Sequence, residues 1–303
     1  MITHVGSINV DYIVHNKRLP MPGETVFGDS LSMAIGGKGA IQIGAVARLG
    51  VPTCFISMMG ELDPNLPLLK SDLAWAGVNC ERIGMAKDML CGSAFVMVEE
   101  SGANAISIVH AADRAVTPEY VEQNRDVIRD AKVVMTEFMP PMETCEYAMK
   151  MAKEYGAVTI VNPAPVKEIP DGFYQYIDII TPNESEAAGY CGFAVDDEKS
   201  AVEACAFFHG KGVKNVVITL GERGAFASDG QRTEMIEAYK VKAVDTTGAG
   251  DSFNAGLAVA IWKDKDLFTA ARFANAVSSV SVQRKGSFRS IPTYEEVAQV
   301  FAL

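Results

Sequence analysis

The residues best suited to chemistry stand together in Val244-Asp245-Thr246-Thr247-Gly248-Ala249-Gly250-Asp251-Ser252-Phe253-Asn254-Ala255-Gly256. An apolar strand stops, a Gly-Ala-Gly turn follows, and an apolar helix begins. Small residues at a helix N-terminus leave several backbone N–H groups unobstructed. The helix dipole adds partial positive charge there, which makes an anion site. Asp251 falls at the start of that helix. An ionised Asp beside a phosphate site can accept the proton of an attacking hydroxyl, a step worth roughly 10²–10⁴ in rate. The amides of Gly248, Ala249 and Gly250 would stabilise charge developing on a transferred group, each donor being worth roughly 10²–10³ by analogy with an oxyanion hole. Read locally, the same residues also suit a plain helix cap on a tight turn.

Four further segments carry chemistry-bearing residues. Gly36-Gly37-Lys38-Gly39-Ala40 opens a helical run but lacks the G-x-x-x-x-G-K-[ST] spacing of a phosphate loop. Taken by itself it reads as a tight turn with close backbone packing. Gly6-Ser7-Ile8-Asn9-Val10-Asp11 ends a strand with two polar side chains two residues apart, hence on one face. The carboxyl end of a sheet strand is where α/β proteins bind ligands, although an Asx turn fits equally. In Thr181-Pro182-Asn183-Glu184-Ser185-Glu186, Asn183 and Glu186 lie one helical turn apart. They could hold hydrated Mg²⁺ next to phosphates, or simply close a capping box. Thr219-Leu220-Gly221-Glu222-Arg223-Gly224 is a glycine-bounded strand end suited to a nucleotide.

The elements that must position these residues follow from the apolar periodicity. Strands are expected over Ile2–Asn9 and Pro52–Met58, an exposed hairpin over Thr25–Ala34, and helices over Ala40–Leu49 and Leu66–Trp75. Ser93–Glu99 and Ala105–Val109 flank Glu100-Ser101-Gly102-Ala103 as a second hairpin. Strict alternation follows: helix Pro118–Ile128, strand Lys132–Thr136, helix Glu143–Tyr155, strand Ala157–Asn162, strand Tyr176–Thr181, a helix capped by residues 182–186, helix Ala201–His209 and strand Asn215–Leu220. A hairpin of Gly224–Ser228 and Arg232–Ile236 turns at Asp229-Gly230. Helices Ala249–Trp262, Leu267–Arg284 and Thr293–Phe301 close the chain. This rhythm implies a mostly parallel sheet with helices on both faces. The early hairpins do not fit that sheet and suggest a small β lid. The expectation is one α/β domain over 1–303, with a lid from about 10–35 and 90–110.

Composition narrows the partners. A net charge of −11 repels phosphate backbones and anionic membrane surfaces, so neither nucleic acid nor membrane is an expected partner. Anionic ligands must instead be met by local N–H groups, a helix end or a bound cation. The cysteines at 54, 80, 91, 145, 191 and 205 form no C-x-x-C pair and read as reduced thiols of a cytoplasmic protein. The four histidines show no metal-ligand spacing. A leader segment is not expected, because Met1 leads straight into an apolar strand.

The five motifs, in this order, resemble those of the ribokinase-like (PfkB) carbohydrate kinases, and Gly-Ser-Ile-Asn-x-Asp, Pro-Gly-Glu-Thr and Gly-Gly-Lys-Gly-Ala are most like those of the ribokinases. The resemblance implies a three-layer fold with a β lid and ATP-dependent transfer to a primary hydroxyl of a sugar. It makes Asp251 the base and Gly248–Gly250 the anion hole. Asn183 and Glu186 would serve phosphate and Mg²⁺, and Thr219, Gly221 and Gly224 would line the nucleotide site. Asn275 falls where the family has an adenine-contacting residue of another type. A K⁺-type ion would be held at Asp245 and Thr247, with backbone near Ser281, Arg284, Gly286 and Ser290. Asn9, Asp11, Gly37 and Lys38 match the sugar site. Two positions depart from it. Ile41 stands where the family has Asn, and Met139 aligns with a Glu, although Glu137 is two residues away. Losing hydrogen-bond partners of this kind changes discrimination by up to roughly 10⁴–10⁵, so the acceptor need not be ribose. Ala112-Asp113-Arg114 also departs from the Gly-Ala-Asn of the family; Arg114 reads as a solvated loop residue or a contact to an acidic substrate. A nucleoside kinase on the same fold, and a non-catalytic sugar- or nucleotide-binding regulator, are the alternatives. A homodimer through the lid is expected.

Overall fold

The structure, a computed structural model, describes residues 1–100 and 103–301. The turn expected at Glu100–Ala103 includes 101 and 102, which lie outside the described residues. In chain order the strands are β1 (Ile2–Val5), β2 (Asn9–Asn16), β3 (Ser30–Gly36), β4 (Thr53–Gly60), β5 (Ile83–Ala86), β6 (Gly92–Glu99), β7 (Asn104–Val109), β8 (Val133–Glu137), β9 (Val158–Asn162), β10 (Ile179–Ile180), β11 (Asn215–Thr219), β12 (Gly224–Ser228) and β13 (Thr233–Glu237). The helices are α1 (Lys38–Arg48), α2 (Leu66–Ala76), α3 (Pro118–Gln123), α4 (Arg125–Arg129), α5 (Met142–Glu154), α6 (Glu184–Cys191), α7 (Glu198–Gly210), α8 (Ala249–Trp262), α9 (Leu267–Ser281) and α10 (Tyr294–Val300).

Among the described residues nine strands form one sheet in the order β13-β12-β11-β10-β9-β8-β1-β4-β5. From β11 to β5 every pairing is parallel; β12 and β13 add an antiparallel edge. Alternate residues of each strand enter opposite apolar layers. Phe55, Val133, Ile160, Ile179 and Val217 pack with α1, α2, α8, α9 and α10. Ile56, Val134, Val161, Ile180 and Val216 pack with α3 to α7. That is the three-layer α/β arrangement. The chain leaves β1 for β4 on one side and later returns to β8 on the other, so the strand order reverses beside β1. Ligands of open α/β sheets bind outside the carboxyl ends of the strands at such a point. The second sheet has the order β3-β2-β6-β7 and projects from this region.

Several elements differ from the sequence reading. The strand expected over Ile2–Asn9 ends at Val5, and Asn9 and Asp11 begin the second sheet instead. In the expected Thr25–Ala34 hairpin, the strand starts only at Ser30 and pairs back onto β2. The helix expected over Pro118–Ile128 breaks at Asn124, whose side chain donates to the Tyr120 carbonyl. Of Tyr176–Thr181, two residues are strand, because Tyr174–Tyr176 form a 3₁₀ turn. The helix expected to reach Arg284 ends at Ser281. The edge strand β5 was not anticipated.

Candidate active site

Gly248 caps α8 in the left-handed conformation (φ 76°), which turns the chain sharply enough to leave Ala249 and Gly250 at the helix mouth. Asp251 follows in the first turn and is buried. The mouth is fastened from below. Asn254 Nδ2 donates to the Gly250 carbonyl at 2.9 Å, and Thr181 Oγ1 donates to Asn254 Oδ1 at 2.5 Å. The turn is thereby tied to the end of β10 through a side-chain relay.

Asp251 faces charged groups from three elements. Asp11 on β2 is pushed up to about 7, first by burial and then by the Asp251 carboxylate. Lys38, the first residue of α1, lies among the carboxylates of Asp251, Glu186 and Glu137. Burial acts to lower its ammonium, but the three anions together outweigh this and hold it above its usual range. Glu186 is raised, by burial first and by Asp251 as well. A single cation among converging carboxylates is an arrangement that can receive both a polyanion and hydroxyl groups. Gly37, at φ 89°, caps α1, and a Cβ there would lie 2.8 Å from the Ser7 carbonyl and 2.9 Å from the Asn9 amide. The close approach of α1 to the β1–β2 connection is what delivers Lys38. Asn9 is buried and its Oδ1 has no hydrogen-bond partner among the described residues.

Ile41 and Met139 are both buried. Ile41 belongs to the apolar layer on the α1 side, whereas Met139 is part of neither layer. Glu137 is fully buried and clamps two chain ends: its oxygens accept from the Ser7 amide at 2.7 Å and the Met139 amide at 2.6 Å. Burial nonetheless leaves its carboxyl raised. Arg114 is exposed.

A cleft of about 810 Å³ opens between β11–β13 and α8–α9. Thr219, Gly221, Gly224 and Asn275 line it, and so do Ala249 and Gly250, so it runs to the mouth of α8. Asn275 spends its amide on the Ile236 and Glu237 carbonyls at 3.1 and 3.2 Å, which holds the end of β13 against α9. Asn183 and Glu186 do form the capping box: Asn183 Oδ1 accepts from the Glu186 amide and Glu186 Oε2 from the Asn183 amide. Asn183 also bridges to Thr219, which places α6 beside the cleft. The capping role therefore coexists with a position next to Lys38 and Asp251.

The residues expected around a monovalent cation come together as two laced loops. Asp245 Oδ1 accepts from the Thr247 amide and Oδ2 from the Gly286 amide, each at 2.9 Å. Burial alone would raise Asp245, but these N–H groups outweigh it and hold the carboxyl low. Ser281 Oγ and Ser290 Oγ stand 2.9 Å apart. Arg284 turns its guanidinium to Glu296, so only its backbone faces the loop. Each Asp245 oxygen accepts one N–H and keeps a further lone pair. Among the described residues no cluster of three His, Cys, Asp or Glu could hold a metal.

Two residues that sequence reasoning did not single out lie behind the centre, Gln42 bonding to Asp251 and His4 to Gln42. Gln42 Nε2 donates to Asp251 Oδ1 at 3.0 Å, and His4 Nε2 lies 3.0 Å from Gln42 Oε1. Their signal was a polar residue on the buried face of an apolar helix and an imidazole in a fully buried strand.

The pfkB family carbohydrate kinase profile matches residues 1–294. The chain is 37% identical over 298 residues to the ribokinase of Haemophilus influenzae, covering 98% of this chain and 97% of the relative. A deoxyribokinase of Salmonella typhi is 28% identical over 306 residues, covering 100% and 99%. The solved structure of Arabidopsis thaliana ribokinase complexed with ribose and ATP superposes with a TM-score of 0.92 at 31% identity, covering 99% of this chain and 97% of that one. With the profile spanning nearly the whole chain and the same fold carrying the relatives' sequence, this chain is a member of the pfkB family of carbohydrate kinases, phosphotransferases that act on an alcohol group.

Proposed function

We propose that the protein transfers the γ-phosphoryl group of ATP to a primary hydroxyl of a sugar or sugar-like acceptor, with Asp251 as the base. The observation that carries this is the placement of Asp251 at the mouth of α8, between the 810 Å³ cleft and the Lys38–Asp11 side. ATP would lie in the cleft against Thr219, Gly221, Gly224 and Asn275. Its transferred group would meet the Gly248–Gly250 amides. Catalysis of this kind is mainly positioning and charge stabilisation. Mg²⁺, reached by Glu186 and Asn183, would neutralise phosphate charge, and K⁺ beside Asp245 and Thr247 would support the anion hole. The acceptor would be held by Asn9, Asp11, Gly37 and Lys38, with Ile41 and Met139 facing a less polar part of it. Relatives named ribokinase and deoxyribokinase bracket that acceptor class. The second sheet serves as the lid of a single 1–303 kinase unit, closing to exclude water. The working unit is a homodimer joined through the lid, and the enzyme is cytoplasmic. Among the described residues no helix is long and apolar enough to cross a membrane.

The test is ADP release with MgATP and KCl across pentoses, deoxypentoses, ketohexoses, sugar acids and nucleosides. Asp251→Asn should lower kcat by roughly 10²–10⁴ while ATP still binds. A variant that keeps more than a few per cent of the rate would remove Asp251 from this role. Turnover of a nucleoside in preference to every free sugar would move the acceptor assignment to that class.

A further inference from the structure

We propose that Gln42 is the positioning residue for Asp251, and that His4 sets the orientation of the Gln42 carboxamide. The proposal rests on the reading of Asp251 as the base. Its geometry can be followed from one fixed end. Asn162 Nδ2 donates to the Thr181 carbonyl at 3.1 Å, which turns Asn162 Oδ1 toward Gln42. Gln42 Nε2 then meets two acceptors, Asn162 Oδ1 at 3.2 Å and Asp251 Oδ1 at 3.0 Å. An amide nitrogen has two hydrogens and satisfies both. The reversed carboxamide would set an oxygen against two oxygens. Gln42 Oε1 is left facing His4 Nε2 at 3.0 Å and needs a donor there.

His4 is fully buried, and burial pushes its imidazolium down to about 4. At neutral pH the ring therefore carries one N–H, and the facing carbonyl places it on Nε2. One tautomer, one carboxamide orientation and one carboxylate rotamer follow from each other. Asp251 Oδ1 is taken by Gln42, which leaves Oδ2 to accept the proton of the acceptor hydroxyl. Without this relay, Asp251 would be free to turn toward Lys38 or away from Asp11, the charges that face it from α1 and β2.

Gln42→Met keeps the length and removes the donor. Because displacement of a reacting group by about 1 Å can lower the rate 10²-fold, we expect kcat to fall roughly 10–100-fold with both KM values within about threefold. His4→Leu should lower kcat roughly 3–10-fold in the native background and not at all in the Gln42→Met background, since the two act through one contact chain. A folded Gln42→Met enzyme with native kcat, or one whose KM values rise as far as its kcat falls, overturns the positioning role. Multiplying effects of the two substitutions overturn the part assigned to His4. If Gln42→Met does not fold, isosteric Gln42→Glu replaces it, and native kcat in that variant again overturns the role. Asp251→Asn runs in parallel. If it turns over, the assignment of the base has failed; if it is dead while Gln42→Met is fully active, only the present proposal has failed.

Discussion

Asp11 on β2 and Asp251 at the mouth of α8 reach one region from a strand and a helix, and their mutual repulsion is part of the folded state. The Asp11 carboxyl is raised from 3.8 to about 7, by burial first and then by Asp251. The folded chain therefore holds this proton more tightly than the unfolded chain does. Stability contributed by the protonated form is complete below about pH 4 and is lost as pH rises through about 7. Asp11→Asn removes that penalty without changing shape. We expect its Tm without ligand to exceed that of the native protein by roughly 2–4 °C at about pH 8, near 1 kcal/mol for a chain of this size, with the gain gone at about pH 4. Loss of a charged hydrogen-bond partner should at the same time raise the acceptor KM by roughly 10–100-fold. Thermal melts at the two pH values, with KM measured beside them, check both. A Tm difference that does not vary with pH would show that Asp11 does not titrate in this range.

At the scale of elements, legibility followed the reach of the physics. Helix α8 was readable to the residue, Ala249–Trp262, because a Gly turn, small residues and an apolar run all mark its start. The capping box of α6 was readable from a four-residue spacing. The short β10 was not, since a buried apolar run looks like a strand whether two or six of its residues find partners on β9 and β11. The break at Asn124 depends on one side chain bonding back to its own helix rather than continuing it. In the site, the N–H turn and its Asp are neighbours in sequence, whereas Gln42 is 209 residues from Asp251 and no local pattern connects them. The β12–β13 hairpin shows how one backbone position shapes a cleft. Gly224 has φ 104°, and a Cβ there would lie 2.1 Å from the Ile236 carbonyl. Gly224→Ala should destabilise the protein by roughly 1–3 kcal/mol, the range for a strained backbone position. It should raise the nucleotide KM more than the acceptor KM, as urea unfolding and paired titrations would show. Equal changes in the two KM values would mean that the hairpin does not shape the nucleotide cleft selectively.

The whole molecule poses a problem at the second sheet. Paired neighbours place Tyr12, Met33 and Phe95 on one of its faces, with Val14 and Leu31 following on the same side. Leu31 is 65% exposed, Met33 49% and Phe95 48%. Among the described residues the strands at both ends of this sheet also present unpaired backbone edges, since β3 pairs only with β2, and β7 only with β6. Exposed apolar faces and open edges of this kind mark association surfaces or aggregation hazards. Two copies meeting through a twofold axis would cover both at once. A net charge of −11 per chain opposes that encounter through the solvent, so the attraction has to come from apolar area and strand contacts rather than from charge. Introducing charge where the apolar face is most exposed is therefore the sharpest probe. Leu31→Glu combined with Phe95→Glu should convert the proposed dimer to a monomer in light scattering at micromolar concentration, with the far-UV circular dichroism unchanged. The main sheet and its two apolar layers do not include either residue, so Tm should fall by no more than the few degrees a lost interface explains. Turnover should fall too, because β2 carries Asp11 on its opposite face and a lid without its partner holds that strand less firmly. A variant that remains a dimer would place the contact elsewhere, and a native protein that is already monomeric would leave the apolar face to lid closure instead.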